Sequence, residues 1–317
     1  MNRLPVPHAR AVTRLAEILQ ETVDLLDGAD LLEGDDGALV VPESSLIQQC
    51  IELASDVMSG EDEPIRTLHH FACTGGTLIS QVVAAMPNVQ LLSELDPLSP
   101  LEATKPGAFV PTNMQALLQH GTRPVRQDQL LDLFSAQLEV AYRQARSHGH
   151  YLVIRDHTHS HFCTGDRIPD RPSVRELLGR VAPVVSLVSV RDPLDSFVAL
   201  QLHKWVHFEP RTFDEYCIRY LAFLDRYHDQ PVMRYEDFVR NPQDEMARAC
   251  EHLRLPYFDG FESLYSVFTL SGASGRKFAR IVEPPSRPER QQLLGTARAS
   301  PHYRELAERL GYPIEPA

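Results

Sequence analysis

The sequence predicts an α/β fold in which a parallel β-sheet is flanked by helices. Short apolar segments with strand composition, such as 66–72 and 184–190, alternate along the chain with segments of helical periodicity. Buried strands that alternate with helices indicate right-handed βαβ units and therefore a parallel sheet. No internal repeat and no second apolar core interrupt this pattern, so residues 65–317 are expected to form one α/β domain.

Residues 1–64 are expected to form a helical extension that packs on this domain. Apolar residues at helical spacing predict helices over 9–27 and 44–58. The acidic, Gly-containing stretch 27–37 between them is a predicted loop, and SGEDEP at 59–64 has the composition of a linker.

The elements predicted after this extension follow the alternation of strand and helix. Strands are predicted over 66–72, 89–92, 151–154, 184–190 and 231–234. Helices are predicted over 78–86, 114–120, 127–146, 194–205, 213–227 and 242–253. The polar, proline-rich stretch 94–111 is a predicted substrate loop, and residues 203–211 are expected to contact the substrate with it. The tail from residue 286 has a helical pattern.

The composition excludes several classes of protein. The 317 residues are 43% hydrophobic and 23% charged, which is typical of a globular protein. The net charge of −12 argues against binding to nucleic acid, whose phosphates must be neutralised by basic residues. The most apolar stretch, 181–190, is too short to span a bilayer, so no membrane insertion is expected.

The cysteines indicate a reducing compartment. There are five of them, with irregular spacing and no C-x-x-C pair. An odd number without metal-ligand spacing is typical of reduced thiols rather than of a disulfide framework or a zinc site. A cytoplasmic location is therefore expected.

The first predicted strand leads into a Gly-containing turn, CTGGT at 73–77, which opens a predicted helix. The first N–H groups of a helix lack intrahelical partners, and the helix dipole makes that end positive. Gly75 and Gly76 allow a phosphate to approach the backbone, and the Thr74 and Thr77 hydroxyls can donate further hydrogen bonds. The segment predicts an anion site; the alternative is a βα turn whose glycines serve sterics alone.

A second anion contact is predicted at the end of the strand 184–190. Arg191 follows this strand directly, and open α/β sheets bind ligands at the carboxyl ends of their strands. A guanidinium group can bind a phosphate through two parallel hydrogen bonds. The alternative is that Arg191 merely pairs with Asp192 or Asp195.

Two common nucleotide-binding signatures are absent from the sequence. It contains no G-x-x-x-x-G-K-[ST] segment, which argues against a Walker-type ATPase or GTPase. It also has no G-x-G-x-x-G after a strand, which argues against a Rossmann dehydrogenase.

Four segments together resemble signature segments of the sulfotransferases that use 3′-phosphoadenosine 5′-phosphosulfate (PAPS). In chain order they are ACTGGTLI at 72–79, RDPLDS at 191–196, RYEDF…NP at 234–242 and GRK at 275–277. The resemblance implies a P-loop NTPase-like sulfotransferase fold. It also implies an enzyme that moves a sulfuryl group from PAPS to a hydroxyl or amine of a small-molecule or carbohydrate acceptor, leaving 3′-phosphoadenosine 5′-phosphate (PAP). No metal is expected, and a homodimer is left open.

The resemblance also implies which residues bind the nucleotide. The turn and the start of its helix would hold the 5′-phosphosulfate, basic and hydroxyl groups would hold the 3′-phosphate, and Tyr235 would lie near the adenine. The implied cofactor-binding residues are Cys73, Thr74, Gly75, Gly76, Thr77, Leu78, Arg191, Ser196, Tyr235, Gly275, Arg276 and Lys277.

Two positions depart from the family's pattern. Cys73 stands where a lysine or arginine is usual, and Ala199 stands where a phosphate-binding serine is common, which leaves Ser196 as the nearby hydroxyl. These departures support the alternative of a sulfotransferase-like protein that binds the nucleotide but is impaired in transfer.

Three histidines alternate in the segment RDHTHSH at 155–161. Its resemblance to the Lys-Thr-His segment of cytosolic family members implies that His157 is the general base and Arg155 a nearby cation. An imidazole with a pKa of about 6.5 suits the removal of a proton from an acceptor. The alternative is a metal site at His157, His159 and His161, which would indicate a metal-dependent hydrolase.

Overall fold

The computed structural model describes residues 63–101, 111–271, 280–283 and 285–314. The chain divides into two compact units, Met1–Glu61 and Asp62–Ala317, and all described residues belong to the second. The helices predicted over 9–27 and 44–58, and the extension 1–64 that contains them, lie outside the described residues except for its last two positions.

Seven strands and twelve α-helices occur in the described residues. The strands are β1 (Ile65–His70), β2 (Val89–Leu95), β3 (Tyr151–Asp156), β4 (Thr164–Gly165), β5 (Val184–Val190), β6 (His207–Phe208) and β7 (Val232–Arg234). The helices are α1 (Gly76–Ala84), α2 (Met114–Gln119), α3 (Gln127–Ser147), α4 (Thr158–Phe162), α5 (Val174–Leu178), α6 (Pro193–Leu202), α7 (Phe213–Arg226), α8 (Tyr235–Arg240), α9 (Pro242–Leu253), α10 (Phe261–Leu264), α11 (Pro288–Ala297) and α12 (Pro301–Leu310).

The predicted α/β class is confirmed. Five strands form one sheet in the order β2-β3-β1-β5-β7, and every neighbouring pair is parallel. Strand β1 is central and buried along its whole length, because helices cover both faces of the sheet. The strands β4 and β6 pair separately as a short parallel ribbon.

Alternating residues along the strands supply the two faces of the core. Val153 and Leu187 pack with helices α1, α8 and α9 on one face. Leu152 and Ile154 pack with α3 and α5 on the other, and Val188 packs there with α6, α7 and α12. This alternation is the two-residue period of a pleated strand, and it fixes the register of the sheet.

The central strand carries polar side chains that need partners because they are buried. Arg66 donates to the main-chain oxygens of Leu253 at 2.9 Å and Arg254 at 2.8 Å, so it closes the end of α9. His69 lies 2.9 Å from the carboxylate of Asp156, which also accepts a hydrogen bond from Tyr227 at 2.8 Å. These bonds satisfy polar groups inside the core.

Some boundaries differ from the prediction. Strands β2 and β3 continue to Leu95 and Asp156, beyond the apolar residues that define them in the sequence. Strand β2 continues because its pairing with β3 resumes after an irregularity between Leu92 and Leu95. The helix α8 and the ribbon β4–β6 were not predicted.

None of the described helices is both long and apolar enough to cross a bilayer. The four cysteines within the described residues form no disulfide; they are Cys73, Cys163, Cys217 and Cys250.

Candidate functional site

A cleft of about 680 Å³ lies at the carboxyl-terminal edge of the sheet, and residues at or directly after the ends of all five strands line it. The contributions are Glu94 from β2, Arg155 from β3, the turn after β1, Arg191 after β5 and Tyr235 after β7. Parallel strands direct their carboxyl ends to one edge, where open α/β sheets bind ligands. The cleft therefore unites the predicted Gly-containing turn with Arg191.

The turn between β1 and α1 follows a path that only glycine permits at two positions. Gly75 has a φ of +88°, and a Cβ there would lie 2.1 Å from Cδ2 of Tyr235. A Cβ on Gly76 would lie 2.5 Å from the ring of His70, which is itself hydrogen-bonded to Ser189 and Ser80. The backbone can approach a ligand here because no side chain intervenes.

The N-terminus of α1 is open at this turn. No side chain caps it, and its first turn contains no acidic residue. The amides of the first helical residues, Gly76 and Thr77, lack intrahelical partners, and the helix dipole adds positive potential there. Both residues line the cleft, so the main chain at this point is arranged to bind an anion.

The other residues of the turn differ in their placement. Cys73 and Leu78 line the cleft with Thr77, and Cys73 has a φ of +63°. Thr74 is fully buried, and its hydroxyl donates to the carbonyl of Phe71 at 2.8 Å. The Thr74 hydroxyl therefore closes the turn and is not directed at a ligand.

Arg191 and the Gly-containing turn are joined by a single aromatic ring. The guanidinium carbon of Arg191 lies 4.9 Å from the centroid of the Tyr235 ring. The same ring lies against Gly75, where it occupies the space of a missing Cβ. Because all three residues line one cleft, the main-chain anion site and Arg191 face the same space.

Acidic residues surround Arg191. The carboxylate of Asp192 caps α6 by accepting from the amides of Leu194 at 2.8 Å and Asp195 at 3.0 Å. Burial and then the charge of Asp192 raise the pKa of Asp195, and the Arg191 guanidinium, 3.8 Å from Asp195, opposes this rise. Because this cap occupies two amides at the N-terminus of α6, that helix end offers an anion less than the uncapped end of α1 does.

Arg287 is a second guanidinium that lines the cleft. It immediately precedes α11, whose Arg290 contacts Asp192 at 3.4 Å and Asp195 at 3.2 Å and so holds α11 beside α6. The buried Nη1 of Arg287 has no hydrogen-bond partner among the described residues. An unpaired buried N–H costs about 1–3 kcal/mol, so an anion that reached this group would be bound favourably. Arg287 was not predicted from the sequence.

Ser196 does not reach the cleft. It is fully buried in α6, and its hydroxyl donates to the carbonyl of Asp192 at 2.8 Å. It also accepts a hydrogen bond from the hydroxyl of Tyr216 at 2.8 Å. Because these bonds lie inside the core, the placement of Ser196 does not support the expectation that it binds a phosphate.

Glu94 links the two residues expected to be catalytic. Its Oε1 lies 2.6 Å from Nη2 of Arg155, and its Oε2 lies 3.1 Å from Nε2 of His157. Arg155 also donates to the hydroxyl of Ser93 at 3.2 Å. If the N–H at Nε2 donates to Glu94, the unprotonated Nδ1 of His157 is the nitrogen that can accept a proton. Sequence reasoning placed Glu94 in a loop and assigned it no such role.

The three alternating histidines separate in the structure. His157 and His159 line the cleft, whereas the ring of His161 stacks on Phe162 with centroids 4.6 Å apart. His207, from β6, takes the neighbouring position, 5.5 Å from His159. No group of three or more His, Cys, Asp or Glu side chains in the described part of the chain is arranged to hold a metal ion. The hydrolase alternative therefore lacks geometric support in that part.

The remaining predicted residues, Gly275, Arg276 and Lys277, lie outside the described residues.

Comparison with known proteins gives one family. Residues 71–259 match the model of the sulfotransferase family. No curated protein sequence matches the chain.

Several solved structures are similar to this chain at low identity. The sulfotransferase domain from the curacin biosynthetic pathway is 16% identical with a TM-score of 0.49, and the match covers 81% of this chain and 100% of that one. The sulfotransferase domain of the Synechococcus PCC 7002 olefin synthase is 14% identical with a TM-score of 0.46, covering 81% and 97%. A mouse sulfotransferase complexed with PAP is 11% identical with a TM-score of 0.35, covering 81% and 93%.

Proposed function

The chain belongs to the sulfotransferase family, and from that premise we propose that it transfers a sulfuryl group from PAPS to a hydroxyl or amine of a small-molecule or carbohydrate acceptor. One observation carries the proposal. A main-chain anion site, three arginines and the Glu94–His157 pair line a single cleft.

The 5′-phosphosulfate would bind at the turn after β1. The amides of Gly76 and Thr77 would donate to its oxygens, and the dipole of α1 would favour its negative charge. This assignment is supported by the uncapped N-terminus of α1 and by the absence of acidic residues from its first turn. Such a site needs no net positive charge, which suits a chain of net charge −12.

The 3′-phosphate would bind to Arg191 and Arg287. Both line the cleft, and each has a buried guanidinium nitrogen without a hydrogen-bond partner among the described residues. A phosphate dianion would supply these partners and would displace Asp195 from its 3.8 Å contact with Arg191. Tyr235, between Gly75 and Arg191, would lie between the two phosphate groups and near the adenine.

His157 would remove the proton of the acceptor during an in-line attack on sulfur. The acceptor oxygen or nitrogen forms a bond to sulfur as the bond from sulfur to the 5′-phosphate oxygen breaks. The proton passes to Nδ1 of His157, and PAP leaves with the electron pair of the broken bond. Glu94 would orient the imidazole and stabilise its positive charge through the 3.1 Å contact at Nε2.

The departing phosphate gains negative charge, which needs stabilisation. Cys73 carries no positive charge at the position where the family usually has a lysine or arginine. The main-chain amides of the turn would supply part of this stabilisation. Arg155 would supply the rest, since it lines the same cleft and lies at the end of the neighbouring strand β3. Its bond to Glu94 fixes the guanidinium in place.

A second candidate function is nucleotide binding without turnover. The thiol of Cys73 in the cleft favours it, because a neutral side chain replaces a cation there. Calorimetry that shows PAP binding, together with no sulfate transfer to a broad acceptor panel, would support this alternative.

Thermal unfolding tests the donor assignment directly. PAP at about 100 times its Kd should add roughly 2.7 kcal/mol of stability and raise the Tm by several degrees. ATP and NAD at equal concentration, which lack the 3′-phosphate, should raise it less. Equal shifts with all three nucleotides, or no shift with PAP, would contradict the proposal. Transfer of radiolabelled sulfate from PAPS to a panel of alcohols, phenols, amines and sugars then tests the reaction.

A further inference from the structure

One side of the cleft is lined by imidazoles and by the protein's single tryptophan. The ring centroids of His157 and His159 are 6.2 Å apart, and those of His159 and His207 are 5.5 Å apart. Trp205 lines the same side, as do His203 and Glu94. This side of the cleft therefore offers mainly hydrogen-bonding side chains, together with the indole ring of Trp205.

Trp205 is held as a fixed platform. Its amide donates to the carbonyl of Leu200 at 3.0 Å, and its ring stacks on His203 with centroids 4.6 Å apart. It also packs against the core formed by α6, α7 and α12. A rigid aromatic surface of this kind offers contact area at a small cost in conformational entropy.

His207 and His159 fix the rim of this platform. His207 belongs to β6, which pairs with β4 in the register Thr164–His207. Burial, followed by the neighbouring charges of His157 and His207, lowers the pKa of His159 to about 3, and the imidazole hydrogen-bonds to the main chain of Trp205. His159 is therefore neutral at physiological pH and serves as a positioning residue that ties α4 to the Trp205 segment.

From these placements we infer that Trp205 and His207 form an acceptor subsite for a six-membered polyol ring, such as a pyranose. The C–H face of such a ring would pack on the part of the indole that lines the cleft, because the stacked His203 ring already covers another part. Its hydroxyls would bond to His207 and Glu94 while one hydroxyl faces His157. An apolar alcohol would displace water from His207 without replacing its hydrogen bond, so it should bind less tightly than a polyol of the same size. The inference rests on the proposed function, because it names the acceptor class of the same reaction.

The sole tryptophan makes the test site-specific, since all indole emission comes from Trp205. The full-length protein, with and without saturating PAP, is titrated with myo-inositol, with methyl pyranosides of glucose, galactose, mannose and N-acetylglucosamine, and with cyclohexanol. At least one polyol should change the emission saturably, and cyclohexanol should not. No response to any polyol, or an equal response to cyclohexanol, would overturn the inference.

Two substitutions sharpen the result. His207→Leu should weaken the responding polyol roughly tenfold, as the loss of a hydrogen bond predicts. The matched control His228→Leu removes an exposed imidazole outside the lining and should leave the response unchanged. Equal affinity in the His207→Leu variant and wild type would remove His207 from the subsite.

Calorimetry with PAP separates this inference from the proposed function. Failure to bind PAP would contradict the proposed function, whereas the emission titration without PAP would still judge the subsite. PAP binding and sulfate transfer without any polyol response would contradict the subsite alone.

Discussion

The carboxylate of Glu94 bonds Arg155 through one oxygen and His157 through the other, at 2.6 Å and 3.1 Å. A single side chain thus fixes a guanidinium and an imidazole on the same wall of the cleft. In the proposed reaction, His157 would act as the base for the acceptor and Arg155 as the cation for the leaving phosphate.

The Glu94–His157 contact predicts the effect of removing the base. His157→Ala should lower kcat by roughly 10²–10⁴-fold, because proton transfer then falls to water. Glu94→Gln should lower kcat less, since the amide keeps the shape but not the charge. PAP affinity, measured by calorimetry, should stay within a fewfold in both variants. An undiminished kcat in His157→Ala would exclude this residue as the base.

The turn at Gly76 predicts a loss of nucleotide binding. Gly76→Ala would place a Cβ 2.5 Å from the His70 ring, which cannot retreat without breaking its bonds to Ser189 and Ser80. We expect destabilisation of about 1–3 kcal/mol and weaker PAP binding. Gly295→Ala is the matched control, because it lies in helix α11 with open space around its Cβ. That variant should gain up to about 1 kcal/mol and bind PAP normally; a similar result for Gly76→Ala would contradict the close approach.

The guanidinium groups at the other end of the cleft predict selectivity for the 3′-phosphate. Arg191→Ala and Arg287→Ala should each weaken PAP roughly ten- to a hundredfold, the worth of a charge-assisted hydrogen bond. Binding of adenosine 5′-phosphate, which lacks the 3′-phosphate, should change little. Arg180→Ala removes an exposed arginine outside the cleft and controls for net charge. Equal losses for both nucleotides would show that these arginines do not recognise the 3′-phosphate.

For Ser196 we expect the opposite result: its substitution should change stability and not PAP affinity. Because its hydroxyl is bonded to Tyr216 and to the Asp192 carbonyl inside the core, Ser196→Ala should leave PAP affinity nearly unchanged. The same variant should lose about 0.5–1.5 kcal/mol of stability, since the Tyr216 hydroxyl loses one acceptor and keeps the carbonyl of Ala72 at 3.2 Å. Calorimetry and urea unfolding measure the two quantities. A large loss of PAP affinity without loss of stability would restore Ser196 to the phosphate site.

The Asp96–Arg171 pair predicts a pH-dependent contribution to stability. Burial alone would raise the pKa of Asp96, but the hydrogen bonds and charge of Arg171, together with hydrogen bonds from Ser160 and the Leu98 amide, outweigh it and lower that pKa. A lowered pKa in the folded state gives stability that is complete above a pH of about 4 and is lost as the pH falls through the lowered value.

Substitutions compare the buried Asp96–Arg171 pair with the exposed Asp128–Arg126 pair. Arg171→Met leaves a buried carboxylate unpaired and should cost about 3–5 kcal/mol at pH 7 in urea unfolding. Asp96→Asn should flatten the acid dependence. Arg126→Met, which removes an equally bidentate partner of Asp128 on the surface, should have no measurable effect. Equal losses in the free energy of unfolding for Arg171→Met and Arg126→Met would refute the role of burial.

The sequence predicted those parts of the site that depend on local pattern. The apolar run of β5 ends at residue 190 as predicted, so Arg191 could be placed at a strand end from composition alone. The turn at Gly75 and Gly76 could likewise be predicted, because two adjacent glycines between a predicted strand and a predicted helix indicate a tight turn.

Three features could not be read from local pattern. Glu94 was placed in a loop, because β2 continues past Leu92 only through pairing with β3, a contact between distant segments. Arg287 reaches the cleft because Arg290 holds α11 against α6, which is a tertiary contact. The direction of the Ser196 hydroxyl depends on the packing of Tyr216 from α7.

Strand β2 is an edge strand of the five-stranded sheet, and its residues are mostly half-buried, whereas the central strand β1 is buried throughout. Local unfolding of an edge strand costs less free energy than unfolding of a central strand. Warming is therefore expected to separate Glu94 from Arg155 and His157 before the turn after β1 unfolds. For the proposed reaction, this order means that the rate of sulfate transfer would fall at a lower temperature than the ellipticity.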